Sequence, residues 1–178
     1  MTRDSSCGII THYLLTNLGN AMAVEIERKF KVINEDWRSG ANGTFYRQGY
    51  LHHGETSTVR VRVAGPKGYL TIKGASVGAS RMEYEYQIPV EEAEAMITIL
   101  CRKPVIEKIR YKIEHDGKTW DVDEFLGENK GLTIAEIELS SESEPFELPS
   151  WAGEEVTGDD KYYNANLLEK PYSTWSQS

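Results

Sequence analysis

Cysteine is scarce in this chain: of 178 residues only two are cysteine, Cys7 and Cys101, far apart and in neither a redox nor a metal-ligand spacing. They read as buried or incidental thiols, which sets aside disulfide frameworks and zinc sites. Long apolar runs are missing too. No stretch approaches the roughly 20 residues a membrane-spanning helix needs. The N-terminus has no basic region followed by an apolar core and a cleavage signal. The chain is therefore expected in the cytoplasm and off the membrane. There is no basic excess either: 20 Lys and Arg face 28 Asp and Glu, a net charge of −8. A general nucleic-acid binder needs the opposite balance on its contacting face, so nucleic acid is not an expected partner. The histidines do not cluster as ligands. His52 and His53 are neighbours on a strand and point to opposite faces, and His115 opens a turn. No Ser or Thr stands in a His/Asp pattern that suggests a triad.

What is present is a succession of short segments with period-two alternation, separated by turn residues, as in an all-β barrel or sandwich. Eight candidate strands run over 23–32, 44–51, 57–64, 69–74, 81–89, 105–114, 119–125 and 132–140. Gly65-Pro66-Lys67-Gly68, His115-Asp116-Gly117-Lys118 and Gly127-Glu128-Asn129-Lys130-Gly131 read as hairpin turns, because Gly supplies positive φ and Pro and Asp pre-form the bend. One helix interrupts the strands. Val90, Ala93, Ile97 and Leu100 recur at helical spacing, Glu91, Glu92 and Glu94 suit its positive N-terminal end, and Pro104 follows it. A second, short helix is expected from Asp160 to Glu169. Residues 1–21 have no sustained period and read as a disordered extension ahead of Met22, or a start placed too early. A single domain is expected over 22–170, with 171–178 as a tail.

The charges follow the strand period. In a strand, residues two apart share a face. Glu25, Glu27 and Lys29 therefore share one, as do Arg60 and Arg62, Glu83 and Glu85, Lys108, Arg110 and Lys112, Asp121 and Asp123, and Glu136 and Glu138. Apolar residues fill most of the opposite faces. An antiparallel sheet with a solvated charged face would show such alternation. Here, however, the charges come as same-sign pairs, which repel unless a counter-charge is bound. A polar barrel interior taking an anion on its basic strands and a cation on its acidic ones relieves that repulsion, and eight strands leave room for one small ligand. Clustered carboxylates are hard ligands suited to Mg²⁺ or Mn²⁺, and Arg and Lys are the counter-charge for a polyphosphate.

These residues resemble the CYTH, or triphosphate tunnel metalloenzyme, family. Glu25-Ile26-Glu27-Arg28-Lys29-Phe30 looks like its ExExK signature. Matches follow in order at Gln48-Gly49-Tyr50-Leu51, Val59-Arg60-Val61-Arg62, Thr71-Ile72-Lys73-Gly74, Glu83-Tyr84-Glu85-Tyr86, Lys108-Ile109-Arg110-Tyr111, Trp120-Asp121-Val122-Asp123-Glu124-Phe125, Ala135-Glu136-Ile137-Glu138-Leu139 and Tyr163-Asn164-Ala165-Asn166-Leu167. The resemblance covers about residues 22–170. It implies a mainly β (α+β) fold: an eight-stranded antiparallel β-barrel tunnel with a few flanking helices, binding a triphosphate and Mg²⁺ or Mn²⁺. It implies Glu25, Glu27, Asp123, Glu136 and Glu138 as metal ligands, and Arg60, Arg62, Lys73, Lys108 and Arg110 as phosphate contacts beside Lys29. Glu83 and Glu85 come second, as orienters of the basic residues or ligands of another ion. By the same resemblance, Tyr50 interacts with Lys29 and influences substrate choice, and Lys161 touches phosphate from a tunnel-closing helix.

The implied activity is metal-dependent hydrolysis of the terminal phosphate of inorganic triphosphate (tripolyphosphate), with nucleoside triphosphates as further substrates. Within the family, a class IV adenylate cyclase and a thiamine triphosphatase are the alternatives. Outside enzymes, the alternative is a non-catalytic polyphosphate or nucleotide sensor. Analogy with small relatives extends to a homodimer.

Overall fold

The computed structural model describes residues 26–77 and 80–175, with the backbone alone at 75–77 and 80–81. Nine strands form one antiparallel sheet: β1 (Ile26–Val32), β2 (Gly43–His53), β3 (Ser57–Ala64), β4 (Lys67–Val77), β5 (Ser80–Ile88), β6 (Ile106–His115), β7 (Lys118–Phe125), β8 (Thr133–Leu139) and β9 (Ala152–Glu155). Eight correspond to the expected strands. The ninth was not expected, because four residues carry too little periodicity to register. Ala152–Glu155 becomes a strand by pairing with β1, at Phe30↔Glu155 and Val32↔Ala152.

The three expected hairpins form. Asp116 (φ 47°) and Gly117 (φ 72°) occupy the left-handed region between β6 and β7, and Gly65 (φ 55°) does so between β3 and β4. Two consecutive positive-φ residues match the right-handed twist of the flanking strands, which is why an Asp-Gly pair sits there.

The strand order is β5-β4-β3-β2-β6-β7-β8-β1-β9. A closed barrel was expected. Among the described residues, β5 and β9 instead remain edges, so the sheet wraps without sealing. It wraps nonetheless, since side chains from all of β1 to β8 line one cavity.

The outward faces are covered by apolar packing in two places. Phe30, Trp120, Val122, Ala135 and Ile137 pack with Trp37 and Trp151 outside β1, β7 and β8. Val61 and Val63 lie under helix α1 (Val90–Ile99), which buries Ala93 and Ile97 against them. Helix and sheet are in close contact here. A Cβ on Gly68 would stand 2.9 Å from the Cβ of Ala93 and 3.0 Å from the carbonyl oxygen of Ile88.

At one end of the inward face the polar lining gives way to Ile106, Phe125 and Ile134, which pack with Val156, Tyr162 and Leu167 of the C-terminal segment. That segment differs from the single helix expected at 160–169: it is a 3-10 turn (Asp160–Tyr162) followed by a one-turn helix, α2 (Asn166–Glu169). Buried Asn129 ties it down, accepting from the backbone N–H of Tyr172 at 2.8 Å. Residues 172–174, in the expected tail, form a further 3-10 turn, and Tyr172 and Trp175 pack on the same apolar floor.

Candidate active site: an ion-paired cavity inside the sheet

The cavity has a volume of about 570 Å³. On its acidic side, β1 and β8 pair Glu27↔Glu138 and Lys29↔Glu136, while β7 sets Asp121 opposite Glu136. The Lys29 ammonium lies between two carboxylates, donating to Glu27 and, at 2.5 Å, to Glu136 Oε1. Glu136 in turn accepts from Arg110 Nη2 at 2.6 Å. Burial and the adjacent Glu136 push the Glu27 carboxyl up to about 7. Burial would raise Glu136 as well, but Lys29, Lys108 and Arg110 surround it and hold it well below the usual carboxylate range. Burial likewise opposes the charge on Lys29, and Glu136 and Glu27 overcome it, so its ammonium titrates above the ordinary lysine range.

Behind this layer is Asp123, fully buried. It is the cross-strand partner of Arg110, which grips it from Nε at 2.6 Å and Nη2 at 2.5 Å, and Lys108 completes the set. Asp123, expected among the metal ligands, has both its oxygens on cations here and is not part of the cavity lining. The lining carboxylate of β7 is Asp121, which Arg110 Nη1 reaches at 2.8 Å and Lys112 Nζ at 3.2 Å. Lys108 is fully enclosed, and burial lowers its pKa against the pull of Asp123.

The opposite side comes from β3, β4 and β5. Arg60 and Arg62 share one carboxylate, Glu85, at 3.4 Å and 3.1 Å, and Thr71 Oγ1 donates to the same oxygen at 2.7 Å. Lys73 pairs with its cross-strand partner Glu83 at 2.5 Å. Glu83 and Glu85, expected as orienters of the basic residues or ligands of another ion, are both ion-paired to those basic residues. Burial and neighbouring Arg60 lower the pKa of Arg62. Tyr46 lies between the walls, its ring 5.8 Å from the Arg62 guanidinium and 5.5 Å from that of Arg110.

Eleven expected residues line the cavity: Glu27, Lys29, Arg60, Arg62, Lys73, Glu83, Glu85, Lys108, Arg110, Glu136 and Glu138. Glu25 lies outside the described residues. Tyr50 is buried on the cavity-facing side of β2, opposite Arg60, with its ring edge-on to His53, and is not part of the lining. Lys161 also falls elsewhere. Its 3-10 turn carries the ammonium outward, 3.6 Å from Asp159 and over the rings of Tyr162 and Trp175. The C-terminal segment reaches the cavity through Asn164 instead. Tyr46, Lys118 and Thr119 also line the cavity and were not singled out from the sequence, while Lys112 and Asp121 were placed on charged faces, and Gln48 and Asn164 in family-like motifs, without a site role. Parity was the available signal, since Gln48 and Tyr46 stand two and four residues before Tyr50.

The donor set fits a hard divalent cation in kind: Glu27, Glu136, Glu138 and Asp121 are oxygen ligands on three adjacent strands. Among the described residues no three such groups are already gathered around one point.

A wrapped antiparallel sheet whose inward face lines one cavity with both signs of charge defines the class of fold. The chain belongs to the CYTH domain family, which its residues 23–171 match. It is 55% identical over 156 residues to an inorganic triphosphatase of Acetivibrio thermocellus, covering 88% of this chain and all of that protein. It is 38% identical over 148 residues to an inorganic triphosphatase of Nitrosomonas europaea, covering 80% and 95% of the two chains. Among solved structures, the inorganic triphosphatase NE1496 superposes with a TM-score of 0.61 at 33% identity, over 81% of this chain and 93% of that one.

Proposed function

We propose that this chain hydrolyses the terminal phosphate of inorganic triphosphate, with Mg²⁺ or Mn²⁺ as cofactor, in the cytoplasm. The observation that carries the reading is a reversal of charge. The chain as a whole has a net charge of −8, yet its cavity is lined by eight basic and six acidic side chains. An interior more positive than its surface attracts a compact polyanion. The inorganic triphosphatases it resembles over nearly their whole length point the same way.

In this reading Arg60, Arg62 and Lys73 on one side, and Lys108 and Arg110 on the other, hold phosphate oxygens and keep the chain of phosphates extended. Asp123, Glu83 and Glu85 fix the directions of those cations. Glu27, Glu136, Glu138 and Asp121, together with Glu25, would hold the cation, which supplies charge neutralisation at the terminal phosphate. An acidic side chain orients a water in line with the terminal phosphorus. The water oxygen bonds to that phosphorus as its bond to the bridging oxygen breaks, and the water gives up a proton, leaving diphosphate and phosphate. Phosphoryl transfer asks for positioning and electrostatics more than covalent chemistry, so no nucleophilic side chain is required. Tyr50 adjusts substrate choice through Lys29 in this scheme, and a homodimer is its assembly.

The test is phosphate release from tripolyphosphate, ATP and thiamine triphosphate, each with Mg²⁺, Mn²⁺ or chelator, beside Glu27→Gln. Fast release from tripolyphosphate that needs the metal, and that E27Q lacks while folding normally, is the expected result. No release from any of the three, or cyclic AMP from ATP, would overturn it.

A further inference from the structure

The cavity contains a neutral residue whose chemistry the ion pairs leave unfinished. Gln48 lies on the cavity-facing side of β2, between Tyr46 and Tyr50, and is 2% exposed. Its amide nitrogen Nε2 is buried and has no hydrogen-bond partner among the described residues. A buried amide N–H without an acceptor is costly, and native structures rarely keep one without a reason.

Its cross-strand partners do not supply that acceptor. Gln48 faces Arg62 across β3 and Ile106 across β6. A guanidinium carries donors only and an isoleucine side chain carries neither donor nor acceptor. Glu85 of β5, the carboxylate that pairs with Arg62, already accepts from Arg60, Arg62 and Thr71. The Nε atoms of Arg60 and Arg62 are themselves buried without partners. Three buried N–H groups on adjacent strands, those of Gln48 Nε2, Arg60 Nε and Arg62 Nε, thus have no hydrogen-bond partner among the described residues.

The backbone holds Gln48 in this position. A Cβ on the following residue, Gly49, would lie 2.7 Å from the Cβ of Cys101, so β2 packs closely on the segment that follows α1.

We infer that Gln48 is a direct substrate contact, donating its amide N–H to a phosphate oxygen of the bound triphosphate next to those held by Arg60 and Arg62. The inference rests on the triphosphatase reading above and adds to it a neutral donor that no ion pair occupies beforehand. The Gln48 amide gains an acceptor that it lacks among the described residues, without giving up an ion pair. Its contribution should be nearly the same in ground and transition states, and so should appear mainly in KM.

The experiment compares wild type with Gln48→Met, an apolar side chain of similar length, and Gln48→Glu, which offers acceptors only. Thermal unfolding is followed in chelator with and without tripolyphosphate, and kcat and KM are measured with Mg²⁺ or Mn²⁺. For Q48M the expected result is a ligand-free Tm equal to or above wild type, a smaller rise in Tm on adding tripolyphosphate, and kcat/KM lower by about tenfold or more, mostly through KM. Q48E should lose at least as much affinity. A wild-type KM and a wild-type rise in Tm in Q48M would overturn the inference. A lower ligand-free Tm with an unchanged response to tripolyphosphate would also overturn it, showing a structural glutamine. If tripolyphosphate neither stabilises the wild-type chain nor is hydrolysed by it, the triphosphatase reading falls and this inference with it.

Discussion

Glu27 and Glu136 belong to neighbouring strands and share the ammonium of Lys29, yet their protons behave oppositely. Glu136 has three cations around it and stays ionised, while Glu27 is buried beside a carboxylate and holds its proton up to about pH 7. This has a consequence for the metal-free protein. A carboxyl raised from 4.5 to about 7 on folding gives the folded state an extra proton within that window, so stability is greatest below it and falls as pH climbs through it. The lowered value of Glu136 acts in the reverse sense and only below pH 4.5, where its stabilising contribution disappears as it protonates. In chelator, the Tm of the wild-type chain should therefore decline from pH 5 to pH 7.5 more steeply than that of E27Q. Parallel profiles would show that Glu27 ionises normally. At this scale much of the site was legible. Alternation put Glu27, Lys29, Arg60, Arg62, Lys108, Arg110 and Glu136 on common faces, and they do meet. Alternation could not tell Asp121 from Asp123, because residues two apart share a face. Only the grip of Lys108 and Arg110 separates the buried carboxylate from the lining one.

At the scale of elements, the division between structure and chemistry is spatial. Helix α1 lies outside β3 and β4 and buries Ile97 completely, while the ion pairs occupy the other face of the same strands. Ile97→Ala should cost about 2–5 kcal/mol in urea unfolding, and the folded variant should release phosphate at the wild-type rate. A large loss of activity in the folded variant would mean that the two faces are coupled. The helix was legible from its spacing, and the hairpins from their Gly, Asp and Pro. Strand β9 was not legible. Its pairing depends on β1, which is more than a hundred residues away in sequence, and on the turn at 149–152 that delivers it. The helix expected over 160–169 was misread for a related reason: the backbone turns at Tyr163 so that Tyr162 and Leu167 can both reach the apolar floor.

For the whole molecule, the inward face of one sheet is divided lengthwise. Its polar part forms the cavity, and its apolar part, Ile106, Phe125 and Ile134, depends on the C-terminal segment for cover. A chain ending at residue 155 would expose that floor, losing the packing of Val156, Tyr162 and Leu167. It should bind a hydrophobic dye such as ANS and unfold with reduced cooperativity. Truncation that left a sharp, wild-type transition would show that the floor is stable without its cover.

What the sequence determined by itself is local: the strand period, the turns, the faces on which charge accumulates, and hence a polar interior with both signs of charge. These depend on backbone geometry repeated every two residues and need no knowledge of distant partners. Tertiary structure alone decided that the sheet wraps with β5 and β9 as open edges. It also decided that Asp123 is ion-paired to Lys108 and Arg110, that Lys161 stands beside Asp159 and outside the cavity lining, and that the Gln48 amide nitrogen is buried with no acceptor among the described residues. Each of these depends on which strands lie side by side and in what register. That is settled by long-range pairing and by the apolar packing that covers the outside of the sheet.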